Sequence, residues 1–304
     1  MKRAILLLLF VLASGASAQP NPPADIEKII VSAPKYNFAV TPNAISHVFI
    51  GSFAMPSLLL GTIPRWQTGI CPEIRGLRPD LADFISRRLL EIAAQAGAPV
   101  KEKSCAPNLS VTFTPEPQKL LDNIRAKDAE ALGYHGAVII SHPIQAWYST
   151  GTVDIDGHVF KDVETIYHDD TINPFMVPPK FIVTSSTPMP KVEGMPGRTG
   201  LKSRFLGVFI IVDSHQTANL QVNAVADYLA MLALSQTKAY DSCQMVPSIA
   251  NLIAPDCDDK LKPDSATASD MAYLKGLYAK DAGASLIVQQ DQIAGEMAKA
   301  LGGQ

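Results

Sequence analysis

Val222–Gln236 reads VNAVADYLAMLALSQ, and its pattern decides how the chain folds. Apolar residues fall on nearly every side of a helical wheel, and only Asn223, Asp227 and the terminal Ser235 and Gln236 are strongly polar. A helix that is apolar all round is expected to be buried on most sides. The run before it, Leu206–Asp213 (LGVFIIVD), is the most strongly β-forming segment of the chain, and its unbroken apolar character suits a central strand covered on both faces. The helix holds no histidine, cysteine or glutamate, and Asp227 is its one charged side chain.

Upstream, Trp66–Cys71 reads as a strand and Pro79–Ala96 as a helix carrying Leu81, Phe84, Ile85, Leu89 and Ile92 on one face. Asp80 and Asp83 in the first turn and Gly97 after the last agree with the ends of that helix. Asn108–Phe113 (NLSVTF) returns as a strand, and a strand-helix-strand crossover implies parallel neighbours. Thr114-Pro115-Glu116 caps a short helix to about Arg125, and Ile144–Val153 reads as a further strand. Residues 154–204 break the pattern with many prolines and glycines, a long irregular excursion with a hairpin near Phe181–Thr184. Thr267-Ala268-Ser269-Asp270 approximates a capping box ahead of a helix to Tyr278, and Ile293, Met297 and Leu301 line a last helix stopped by Gly302-Gly303. The expected class is α+β: a mixed sheet with a strand-helix-strand start, a central buried helix and a helical C-terminal part.

Lys2 and Arg3, the apolar run Ala4–Ala13 and the small residues Ala16-Ser17-Ala18 form an export signal, residues 1–18, cut after Ala18. No segment reaches the ~20 uninterrupted apolar residues that span a bilayer, so a soluble periplasmic or extracellular protein is expected. Residues 19–64 read as an N-terminal extension: a polar lead-in, a short strand at Ile26–Ala33, and a helix opened by Thr41-Pro42. The main domain is expected over 65–304. With 304 residues, 47% of them hydrophobic and 18% charged, the chain can bury a full core. A net charge of -3 without basic clusters excludes the electrostatic footprint of a nucleic-acid binder. In an exported chain four cysteines read as disulfides, and Cys71 with Cys105 and Cys243 with Cys257 close the shortest loops within single units.

The order of strand, ligand-bearing helix, turn and capped helix resembles that of metzincin zinc peptidases. In that family two histidines one helical turn apart flank a glutamate general base, and a third ligand follows a glycine bend. Laid on this chain, the pattern puts the first histidine at Ala226, the glutamate at Asp227, the second histidine at Ala230, the glycine at Ala233 and the third ligand at Gln236. Pro247-Ser248-Ile249-Ala250-Asn251 is similar to the turn beneath the zinc, with Ala250 at its methionine. Ala266–Tyr278 looks like the capped helix that completes matrixin-type domains. The chain also resembles an uncharacterised family of exported bacterial proteins sharing the ICPEIRGL, CAPNLSVTFTPEPQ and ADYLAMLAL stretches. The resemblance implies a degenerate zincin-like domain over 65–304, a pseudoenzyme with no catalytic, cofactor-binding or metal-binding residues. It further implies a peptide or protein ligand, or a structural role in the envelope.

Other chemistry is weaker. No two histidines among His47, His135, His142, His158, His168 and His215 stand three or four residues apart, as ligands on one helix face would. His158 and His168, with Asp154, Asp156, Asp169 and Asp170, read as a solvated acidic loop without EF-hand spacing. Asp213 and His215 offer a carboxylate and an imidazole at a strand end, but no GxSxG elbow supplies a nucleophile. Asp227 on a buried helix must be paired or hydrogen-bonded, with Asn223 one turn before it on the same stripe. The alternative to a binding protein is a hydrolase with an unorthodox site around Asp227. Trp147 and Tyr148 are candidates to face a peptide groove, and Trp147 is equally expected as simple core.

Overall fold

The computed structural model describes residues 41–57, 60–101, 104–127, 139–161, 200–237, 242–279 and 282–302. The expected signal, lead-in and strand at 26–33, and the hairpin at 181–184, lie outside these residues. The described helices are α1 (Pro42–Phe53), α2 (Pro79–Ala96), α3 (Pro117–Lys127), α4 (Val222–Leu234), α5 (Ala268–Ala279) and α6 (Leu286–Gly302). The strands are β1 (Pro72–Arg75), β2 (Leu109–Thr114), β3 (Ile144–Val153), β4 (Val159–Lys161) and β5 (Lys202–Asp213). Together they make a mixed α+β fold.

The strands form one sheet in the order β1-β2-β5-β3-β4. β1 runs parallel to β2 with Ile74 opposite Val111, and β2 runs parallel to β5 with Val111 opposite Ile210. β3 is antiparallel to both β5 and β4. The apolar run near residue 206 thus occupies the centre of the sheet, where no edge is left open to water. α2 makes the crossover that parallel neighbours require. Its Pro79 sits in the first turn, and Gly97 ends it in the left-handed region at φ 84°. The Gly97 and Ala98 N–H groups then reach back to the Ala94 and Ala93 carbonyls, a Schellman ending. Between β1 and α2, Gly76 takes φ 82°, and a Cβ there would stand 1.9 Å from the Phe113 carbonyl oxygen.

The strand expected over 66–71 is displaced. Arg65 and Ile70 make only isolated bridges, to Arg204 and Val100, and the ladder begins at Pro72. The cause is competition for the backbone and side chains of that segment. The Cys71 N–H donates to Asn108 Oδ1 at 2.7 Å, and the Trp66 indole N–H donates to the Ala233 carbonyl at 2.8 Å.

The main core lies between one sheet face and helices α2, α4 and α5. Ile85, Leu89 and Ile92 of α2, Val111, Val208 and Ile210 of the sheet, and every residue of α4 from Ala224 to Leu234 are buried. Each fully buried Leu or Met contributes about 1.5–3 kcal/mol relative to exposure. α3 covers part of the other face over a smaller cluster of Leu121, Trp147 and Ile211.

Helix α1, read from sequence as part of an extension, belongs to the compact unit Val40–Gln304. Phe49, Ile50 and Phe53 lie in the main core, and both Phe49 and Phe53 meet the Tyr273 ring edge-on at 5.5 and 5.6 Å. The Met55 N–H donates to the Gln236 carbonyl at 2.8 Å, joining this segment to the end of α4. Cys71–Cys105 and Cys243–Cys257 are disulfides, the pairing expected from loop length.

Candidate functional site

The positions that resemble a zinc site lie on α4. Ala226 and Ala230, one turn apart, are fully buried in the main core, and Gln236 is 4% exposed just past the helix end. A methyl side chain carries no lone pair to offer a metal. The Gln236 side-chain Oε1 is buried with no hydrogen-bond donor among the described residues.

Asp227 is fully buried, and its carboxylate is held from two directions. Arg88 of α2 grips it as a fork, Nε donating to Oδ1 at 2.6 Å and Nη2 to Oδ2 at 2.9 Å. The Ala266 N–H donates to Oδ2 at 2.7 Å, just before the cap of α5. A bidentate guanidinium-carboxylate pair is the strongest ordinary form of this contact. Asn223, expected to share a polar stripe with Asp227, is exposed instead. The partner that sequence reasoning missed is Arg88, three residues after Ile85 and four before Ile92. Its position on the flank of the buried face of α2 was the available signal. Contact with Asp227 raises the Arg88 pKa, with burial opposing.

The C-terminal end of α4 faces the general problem of helix ends, whose last carbonyls lack partners within the helix. Here three aromatic donors from separate segments supply them. Trp66 Nε1 donates to Ala233, the Tyr278 hydroxyl to Leu234 at 2.8 Å, and the Tyr148 hydroxyl to Leu232 at 3.0 Å and Ser235 at 3.3 Å. Ser235 Oγ and the Tyr273 hydroxyl lie 2.5 Å apart. Burial pushes both the Tyr273 and Tyr278 hydroxyls well above the usual tyrosine range. The Tyr278 hydroxyl donates to the Leu234 carbonyl and accepts from the Trp66 backbone N–H at 3.4 Å.

Beneath α4, Ile249 and Ala250 are buried in a 3-10 turn, Ile249–Asn251. Asp270 of α5 anchors that turn. Its Oδ1 accepts from Ser248 Oγ at 2.5 Å, and its Oδ2 accepts from the N–H groups of Ile249 and Thr267 at 3.0 and 2.8 Å. The Asp270 N–H donates back to Thr267 Oγ1, which completes the expected capping box. Burial drives the Asp270 pKa upward, against the lowering effect of these hydrogen bonds.

The other sequence candidates are used structurally. Asp213 accepts from the backbone N–H groups of His215 and Gln216 and from Gln216 Nε2, a turn that closes the end of β5. Burial acts to raise its pKa, but those hydrogen bonds outweigh it and hold the carboxyl below its ordinary value. The His215 side chain is exposed, so Asp213 binds the backbone of His215 and not its imidazole. Trp147 and Tyr148 point to opposite sides of the sheet, as strand neighbours must. Trp147 is 1% exposed under α3, and Tyr148 stacks on Phe205 in the main core. Both are covered, so of the two readings the core one holds for Trp147 and the groove reading does not.

Asp154, Asp156 and His158 do come together in the β3–β4 turn, with one potential ligand atom from each lying within 4.8 Å of the others. Asp154 is buried and accepts from the N–H groups of Asp156 and His158, so the turn itself accounts for the cluster. His135, His168, Asp169 and Asp170 lie outside the described residues. His47 faces Asp291 at 3.5 Å in an exposed pair. Comparison with protein-family models, with curated proteins and with solved structures finds no match to this chain.

Proposed function

We propose that this is an exported, non-catalytic protein built on a degenerate zincin-like frame, acting by binding a peptide or protein or as a structural part of the envelope. The observation that carries this reading is the state of the would-be active helix. Ala226 and Ala230 are sealed in the core, and the one carboxylate beside them is consumed by Arg88 and the Ala266 N–H. A general base needs a route to substrate and to the proton it abstracts. Asp227 has neither among the described residues. Export is supported by the N-terminal signal pattern and by two disulfides, which persist in oxidising compartments. No described helix is long and apolar enough to cross a membrane.

Metal analysis of the purified, disulfide-intact protein tests the reading. Zinc well below one equivalent is expected. One equivalent of zinc, lost on mutating a single His or Asp cluster, would overturn it. So would turnover of a peptide library that survives purification and disappears in Asp227→Asn while the fold is retained.

A further inference from the structure

β2 is two-faced. Leu109, Val111 and Phe113 are buried in the main core, whereas Ser110 and Thr112 point to the other side and are only partly covered. α3 lies over that second face and packs on both β2 and β5, while Ser110 and Thr112 beside it stay only partly covered by the described residues. The opening is a concavity of about 480 Å³, within the ~300–1,000 Å³ typical of small-molecule sites.

Its chemistry is divided in a consistent way. Phe209, in register with Ser110, forms an apolar floor, and Leu120 and Ile124 of α3 form an apolar wall. Around them stand Ser110, Thr112 and Asn123, with a cation on each side: Arg75 on β1, in register with Thr112, and Lys127 at the last turn of α3. Among the described residues no acidic side chain lines the cavity. Arg75 is largely exposed and pairs with Glu73 of the same strand at 2.8 Å. Among the described residues the side chains of Ser110, Thr112, Asn123 and Lys127 have no hydrogen-bond partner.

We infer that this cavity is a binding site for a small amphiphilic anion. Its apolar body packs on Phe209, Leu120 and Ile124, and its carboxylate or phosphate head lies between Lys127 and Arg75 with hydroxyl donors from Ser110 and Thr112. Hydroxyls and two cations around an apolar floor satisfy such a head group and desolvate such a tail. A neutral lipid or a simple inorganic anion would use only half of the site. The site lies across the sheet from α4, so it stands or falls independently of the zinc measurement.

The test is calorimetric titration of the full disulfide-intact chain with octanoate and octyl phosphate, beside octyl glucoside and acetate, read together with amide shifts in proton-nitrogen spectra. Saturable binding of at least one octyl anion is expected, with the largest shifts at Thr112, Asn123 and Phe209. The tighter of the two anions names the head group. Lys127→Gln and Arg75→Gln should each weaken binding by about fivefold, as loss of a largely exposed charge contact does. Thr112→Phe should fill the cavity and abolish binding. The inference is overturned if neither anion saturates in the millimolar range, or if octyl glucoside or acetate binds equally well. Shifts mapping elsewhere would also overturn it, as would an unaltered affinity in Lys127→Gln. Lys127 is exposed on a helix, so that variant stays informative even if Thr112→Phe fails to fold.

Discussion

Arg88→Met should destabilise the protein more than Asp227→Ala, although both remove the same contact. The difference comes from what each substitution leaves behind. In Arg88→Met a carboxylate with no solvent exposure keeps a single donor, the Ala266 N–H at 2.7 Å. Stranding a buried charge costs about 3–5 kcal/mol. In Asp227→Ala the orphaned guanidinium has a side chain 31% exposed and lies 3.8 Å from Glu91. It can turn to water or to Glu91, so the main losses are its charge-assisted bonds and an unsatisfied Ala266 N–H, about 2–3 kcal/mol. The double variant Arg88→Met/Asp227→Leu removes both charges and should cost less than the sum of the single changes, with a coupling of about 2 kcal/mol. Urea unfolding at pH 7 with disulfides intact measures all of these, and 0.5 M salt should alter them little because the pair is shielded. The reasoning fails if Arg88→Met costs under about 1 kcal/mol, or if the cycle is additive within about 0.5 kcal/mol. It fails equally if Asp227→Ala proves the more costly of the two.

Asp270 has a folded-state pKa raised by burial, so the folded chain holds its proton more tightly than the unfolded chain. Its contribution to stability is complete below the ordinary carboxylate range near ~3.9 and declines as pH rises toward the folded value. A falling component of stability across that window, absent in Asp270→Asn, is expected from urea midpoints taken pH by pH; a rising component would contradict the assignment. Loss of Cys243–Cys257 should cost about 3 kcal/mol and loss of Cys71–Cys105 about 4 kcal/mol, from loops of 14 and 34 residues. Serine variants followed by urea unfolding measure both, and an inverted order would show that chain entropy does not set the difference.

Local signals were read well because their causes are local. α2 ends at Ala96 because Gly97 alone accepts the left-handed turn at no steric cost, and the Thr267–Asp270 box closes over four residues. β3 and the central strand followed from β-branched and aromatic runs. The displaced strand near residue 66 shows where such reasoning stops. Trp66 has the residue type of a strand, yet its indole is drawn to the end of α4, 167 residues away. The same holds for Asp227. Its burial was legible from the helix around it, but its partner, 139 residues upstream, was not.

By itself the sequence determined the class of fold, the buried character of α4 and the absence of histidines at its ligand-like positions, and it favoured one of three disulfide pairings, the one the structure has. Each of these depends on residue type, short-range periodicity or short loops. Only the tertiary structure decided that α1 belongs to the core, that Arg88 neutralises Asp227, and that Trp66, Tyr148 and Tyr278 complete the end of α4. It also placed two cations beside the open face of β2. These depend on which distant segments meet, and no local pattern encodes that: a buried polar group states that it needs a partner, while the packing of the whole chain chooses which one it receives.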